Sequence, residues 1–529
     1  MMALPGPRAG RREWIGLAVI ALPCLLYSMD LTVLNLAVPH ISADLKPSSS
    51  QLLWIVDIYG FLVAGSLITM GTLGDRIGRR RLLLIGAGAF GAASILAAFS
   101  NSAEMLIATR ALLGVAGATL APSTLALIRN MFLDPQQRTF AIGVWVTSYS
   151  VGGGLGPLLG GILLEYFWWG SVFLLAVPVM VLLLVVGPLL LPEFKDPAAG
   201  RLDLFSAGLS LAAVLLVIYG LKQFAEDGVG WIPALSAVAG IAVGVIFVKR
   251  QRILTDPLID LQLFRIPAFS ASLATYTLGT LVSFGAYIFI AQYLQLVLGL
   301  SPFRAGLATV PSMAAFIVGS MLVPPIARRV RPSYLMGAGL VIAAVGFGTL
   351  TQVDGDSALT ILIAGSVIYA GGLAPVVILA TDLIVGSAPV ERAGAASAIS
   401  ETSSELGGAL GIAILGSIGT AVYRLAMSDG VPAAVPFAAV EAARNTLGGA
   451  VAIAEQLPEP VRSDLLRVSR EAFTHGFELT AAISAAVSLA TAVIALVLLR
   501  RLRVGSQLHK SPEQEPPGPP YLTPGLPPQ

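Results

Sequence analysis

The chain has 529 residues, 56% hydrophobic and only 12% charged, and its 32 Lys and Arg nearly balance 30 Asp and Glu for a net charge of +2. A soluble domain carries about 25% charged residues, so a mean hydropathy of +0.84 places this sequence among membrane proteins, with no nucleic-acid partner expected. One cysteine and three scattered histidines exclude a disulfide framework and a zinc site, and no lysine follows a glycine as an ATP-binding phosphate loop requires.

Apolar windows of about 20 residues, the length that crosses ~30 Å of hydrocarbon as helix, recur from end to end. Fourteen spans are predicted, near 14–38, 51–72, 81–99, 103–128, 139–164, 168–191, 203–221, 231–249, 268–298, 303–327, 333–351, 358–384, 393–423 and 474–499. Span 1 follows Arg8, Arg11 and Arg12 but is too long for a removable signal peptide and has no small-residue cleavage site. An even number of spans puts both termini on one side. That side carries 23 of the 32 Lys and Arg, so the positive-inside rule makes it cytoplasmic.

Span 1 carries Asp30, and span 2 carries Asp57 beside Trp54 and Tyr59. Asp57 reads either as an interfacial residue in water or as a cation or proton site lined by aromatics. The loop after span 2, "GTLGDRIGRRRLL" (71–83), sets Asp75 among Arg76, Arg79, Arg80 and Arg81, with glycines at Gly71, Gly74 and Gly78. As a basic run it is a positive-inside anchor. Its acid can also cap a neighbouring helix N-terminus and pair with Arg in one conformation only, which makes a breakable latch.

In span 4, Arg110 is the only basic residue deep in a span. About 3 kcal/mol at the bilayer centre requires an acid to answer it, and Asp30 is the natural partner. The pair is either a permanent buried bridge between spans 1 and 4 or a coupling switch, in which Asp30 takes a proton once separated from Arg110. Span 5 contains "GGGLGPLLGG" (152–161). Gly152, Gly156 and Gly160 fall on one face, Gly161 follows, and Pro157 removes a backbone bond, giving a close-packed, bendable helix contact or simple packing.

"LIRNMFLDPQQRTFAIG" (127–143) and "LIVGSAPVERAGAASA" (383–398) superpose at an offset of 254 residues, and 74–84 matches 327–336 more weakly. Residues 1–192 and 267–502 therefore read as two six-helix halves, with 193–266 an inserted hairpin of spans 7 and 8. Parallel halves of this kind suit an alternating-access transporter with a central site. Span 10 holds no carboxylate.

Span 13 holds "SAISETSSELGGALG" (397–411), in which Glu401 and Glu405 lie one turn apart on one face, too polar for lipid. The offset matches them to Thr147 and Val151, ahead of the Gly-Pro stretch, at the seam where a central site belongs. Two carboxylates about 6 Å apart in low dielectric cannot both ionise cheaply, so the pair can trade a proton for a cation. The other reading has Ser400, Thr402 and their neighbours capping a broken helix. Residues 424–473 form an extracytoplasmic insertion with amphipathic helical patterning, expected to lie on the membrane. Residues 503–529 are a Pro-rich tail, expected to be disordered.

The Gly and Asp spacing of 71–83 resembles the signature loop between spans 2 and 3 of the major facilitator superfamily. With "MDLTVLNLAVP" (29–39), "LIATRALLGVAGA" (106–118) and "GGGLGPLLGG", the chain resembles that superfamily's fourteen-span drug:proton antiporters. "WIVDIYG" (54–60) and "SETSSELG" (400–407) resemble their quaternary-ammonium and dye exporters. The resemblance implies an all-α polytopic fold in a bacterial cytoplasmic membrane, a monomer driven by the proton gradient without a cofactor, and a motif loop that gates. It also implies that acids in the spans carry protons and lipophilic cations, with monovalent ones favoured because some relatives that take divalent cations carry an acid in span 10. A proton-driven exporter of one metabolite, antibiotic or lipid is the alternative. An embedded enzyme would need a catalytic constellation that the sequence does not supply.

Overall fold

In the structure, a computed structural model, residues 8–47, 49–195, 202–227, 230–255, 257–431 and 435–500 are described. Their regular structure is entirely helical. The expected spans correspond to α1 (Arg11–Leu45), α2 (Ser49–Ile77), α3 (Arg79–Ala98), α4 (Ala103–Gly117, continuing as Leu120–Met131), α5 (Pro135–Tyr166), α6 (Ser171–Leu174 and Ala176–Leu190), α7 (Leu204–Asp227), α8 (Trp231–Gln251), α9 (Pro267–Gln292, ending in a π turn Tyr293–Val297), α10 (Pro302–Ala327), α11 (Pro332–Leu350), α12 (Ala358–Ser387) and α13 (Ala393–Gly430). Two short helices follow, α14 (Phe437–Asn445) and α15 (Leu447–Ala454), and α16 (Val461–Leu498) is last. Among the described residues, 13 helices are long and apolar enough to cross a membrane. The glycines and hydroxyls of α5 dilute its hydropathy, and it is the one expected span outside that set.

Helices α1 to α6 pack on one another, chiefly α1 on α5, α2 on α4, and α3 on α4 and α6. Helices α9 to α13 and α16 form a second group, with α9 on α13, α10 and α11 on α12, and α11 on α16. The two groups meet along α2 with α13 and α5 with α10. The hairpin α7–α8 is a tight pair, and α7 lies over the first of these seams, touching both α2 and α13. Leu235, Val238 and Ile241 of α8 are exposed, the surface a bilayer would cover.

The insertion packs on the helices that flank it. Helix α13 continues to Gly430 and α16 begins at Val461, so both extend past their apolar spans, and α14 and α15 pack between them. Met427, Ala443, Leu447, Ala450 and Leu465 are buried there, and Tyr423 donates to the Ala443 carbonyl at 2.8 Å. Part of its apolar face is thus used in packing within the protein. The tail 503–529 lies outside the described residues.

Candidate cation site and gate

Arg110 is buried in α4 and fully engaged. Its Nη1 donates to Asp30 Oδ2 at 2.7 Å, its Nε to the Ile55 carbonyl at 3.1 Å, and its Nη2 to the Val56 carbonyl at 3.4 Å. The guanidinium also sits 4.8 Å over the Tyr59 ring. The structure thus brings together the expected Asp30–Arg110 pair. It anchors the arginine to α2 and leaves Asp30, 16% exposed against 1% for Arg110, as the partner nearer open space.

Helix α13 runs unbroken through 397–411, so its hydroxyls and acids cap no interruption. Glu405 accepts from Tyr27 Oη of α1 at 3.2 Å, a bond across the seam between the two helix groups. One turn earlier, Glu401 is half-buried, with Oε1 enclosed and without a hydrogen-bond partner. It lies close enough to Cys24, Tyr27, Tyr149 and Tyr276 to act on them electrostatically. A buried polar group left unmatched is costly, so Glu401 Oε1 stands out on this face of α13.

Aromatic rings wall the same place. Tyr27 meets Tyr149 edge-on at 5.6 Å and Tyr59 at 6.0 Å, and Trp145 meets Tyr149 at 4.8 Å while donating to Thr124 at 2.9 Å. Sequence reasoning missed Tyr27, Trp145, Tyr149 and Tyr276. A signal was present: Trp145 and Tyr149 stand one turn apart immediately ahead of the Gly-Pro stretch, and Tyr27 precedes Asp30 by three.

Trp54 and Tyr59, the aromatics expected beside Asp57, have different surroundings. Tyr59 is fully buried against Arg110, whereas Trp54 is 41% exposed and packs on Phe61. Phe61 in turn joins Ala64 and Ile218 of α7. Asp57 is half-buried on α2, two residues from Tyr59, and has its own interactions. The Gly stretch of α5 packs on α1: a side chain at Gly152 would collide with the Leu25 carbonyl, and one at Gly160 would press on Val33. Gly156 is buried, Gly161 has open space, and the side chain of Pro157 lies outside those described.

The motif stretch 71–83 meets the start of α13. Asp75 accepts from the backbone amides of Gly394 and Ala395, both at 2.9 Å, in the first turn of α13. Arg79 binds Asp75 at 2.8 Å and reaches the Val390 and Glu391 carbonyls at 2.6 and 3.3 Å. Gly71 lies against Gly394 and Ala398 with no room for a side chain. Gly78, at φ +114°, starts α3 with a backbone that other residues resist, and Arg76 is half-buried at the same corner. A second tie joins α5 to α12, where Arg138 pairs with Asp382 at 2.6 Å and Thr139 donates to the same carboxylate at 2.7 Å.

A family described as Major Facilitator Superfamily matches residues 20–412. The chain is 44% identical over 494 residues to the multidrug efflux pump LfrA of Mycolicibacterium smegmatis, covering 93% of this chain and 98% of that one. It is 36% identical over 480 residues to the methyl viologen resistance protein SmvA of Salmonella typhimurium, covering 89% and 95%. Among solved structures, the human organic anion transporter MFSD10 shares the fold at a TM-score of 0.61 and 15% identity, over 91% of this chain and 99% of that one.

Proposed function

From the premise that this chain belongs to the major facilitator superfamily and is an efflux transporter rather than an enzyme, we propose that it exports lipophilic, mainly monovalent cations in exchange for protons. Drugs, dyes and antiseptics are the cargo, the membrane is the bacterial cytoplasmic one with both termini inside, and the chain crosses it fourteen times as a monomer of two six-helix halves. The observation that carries this reading is the pair Glu401 and Glu405 at the seam, one held by Tyr27 and the other with an unmatched oxygen among aromatic rings. Carboxylates give a desolvated site for positive charge, and π faces bind a flat or quaternary cation further.

The exchange follows from charge. A cation from the cytoplasm or inner leaflet neutralises the acids. After the transporter turns outward, protons replace it there, and the discharged pair releases the cation. Asp30 couples by taking a proton when it parts from Arg110, and Asp57 is a further acid on the same route. Asp75 with Arg79 closes the cytoplasmic side. Helix α10 (Pro302–Ala327) contains no carboxylate, which favours monovalent cargo, and the name of the methyl viologen relative makes that dication the informative comparison.

The test is ethidium and methyl viologen efflux under an imposed pH gradient, at matched membrane levels, for the wild type, Glu401→Gln and Glu405→Gln. Gradient-driven ethidium export that falls about ten-fold or more in either variant, one charge-dependent interaction of ~1.4 kcal/mol, supports the reading. Equal export by all three would remove the pair from the mechanism, and export only of neutral compounds would favour a specific metabolite or lipid instead.

A further inference from the structure

Residues 257–266, which lead from the α7–α8 hairpin into α9, are clasped from both sides of the seam. Leu258 is buried, and both polar groups of its backbone are held by side chains from other elements. Its amide donates to Gln251 Oε1 at 2.8 Å, at the end of α8, and its carbonyl accepts from Thr72 Oγ1 at 2.9 Å, on α2 one turn before Asp75. The carbonyl of the preceding Pro257 accepts from Arg392 Nη1 at 3.4 Å. Arg392 immediately precedes α13, whose first-turn amides are those that Asp75 caps.

Gln251 and Thr72 are themselves buried, at 3% and 1% exposure. Gln251 continues the network into the hairpin: its Nε2 donates to Ser206 Oγ at 2.9 Å, and Ser206 bonds Asp203, which pairs with Arg250 at 2.7 Å. The hairpin base is therefore wired to the segment, and the segment to α2 and α13, at the level of the latch. When α2 and α13 separate, the segment cannot follow both, so either the Thr72 bond or the Arg392 bond must break.

We propose that 257–266 is a strap that closes the terminal side of the transporter together with Asp75 and Arg138, and that Thr72 and Gln251 are the positioning residues that hold it. The hairpin is thereby part of the gate and not an appendage beside it. The strap concerns closure, so it stands apart from which compounds are carried.

The experiment is a distance measurement by pulsed electron resonance between spin labels at exposed Gln136 and Arg329 on the terminal side, in a Cys24→Ser background in lipid nanodiscs. Thr72→Val is expected to raise the ratio of open to closed distances about five-fold, for one strap hydrogen bond of ~1 kcal/mol at 1.4 kcal/mol per ten-fold, and Gln251→Leu, which loses the Ser206 bond as well, at least as much. Thr72→Ser keeps the hydroxyl and should stay at the wild-type ratio. Ser236→Ala, which removes a bond inside the hairpin to the Leu216 carbonyl, should do the same. If Thr72→Val fails to fold, Gln251→Leu carries the comparison. Unchanged ratios in both, with a clear shift in Asp75→Asn, overturn the strap. No shift in Asp75→Asn either overturns the gate on this side along with it.

Discussion

Burying an arginine at mid-membrane costs about 3 kcal/mol unless its charge and donors are met, and Arg110 is met by one carboxylate, two carbonyls and a ring. A lysine in its place keeps the charge but cannot fork to Asp30 and the α2 carbonyls together. Arg110→Lys is accordingly expected to lower ethidium export about ten-fold with the protein still folded, measured as initial efflux rate at matched expression. At the seam, Tyr27→Phe removes only the donor to Glu405. It should weaken apparent substrate affinity about ten-fold or more and leave the maximal rate near wild type, because a hydrogen bond to a carboxylate contributes about 1.5–3 kcal/mol. A fall in maximal rate alone would assign Tyr27 to the conformational step instead.

Among elements, α5 and α13 play opposite parts. Helix α5 is a packing surface toward α1, and Gly152 is the point of closest approach, where a side chain meets backbone that cannot yield. Gly152→Leu is predicted to lower the melting temperature in detergent sharply, by overpacking of about 3 kcal/mol, whereas the same change at Gly161, with open space around it, should be tolerated. Helix α13 is instead a polar surface, and its hydroxyls find neighbours across the helix packing, as Ser403 does with Thr277 of α9. Of its two acids, Glu405 is answered by Tyr27 of α1.

At the scale of the whole molecule, the two helix groups are tied on the terminal side by Asp75 to α13 and Arg138 to Asp382. Reversing the second tie tests its electrostatic nature. Arg138→Asp alone should open that side and reduce export, and Arg138→Asp with Asp382→Arg should recover a substantial part of it, read as efflux rate in a double-mutant cycle. Local pattern alone determined the spans, the deep Arg110, the paired acids of 401–405 and the latch chemistry of 71–83, because apolar length, charge cost and i, i+4 spacing are properties of a single helix. The partners were another matter. That Asp382 meets Arg138 across 244 residues, that Tyr27 meets Glu405, that Tyr59 lies beneath Arg110, and that Leu258 is clasped by Thr72 and Gln251 were decided only by tertiary structure. Which faces of separate helices meet depends on how whole helices pack, and no local period in the chain encodes it.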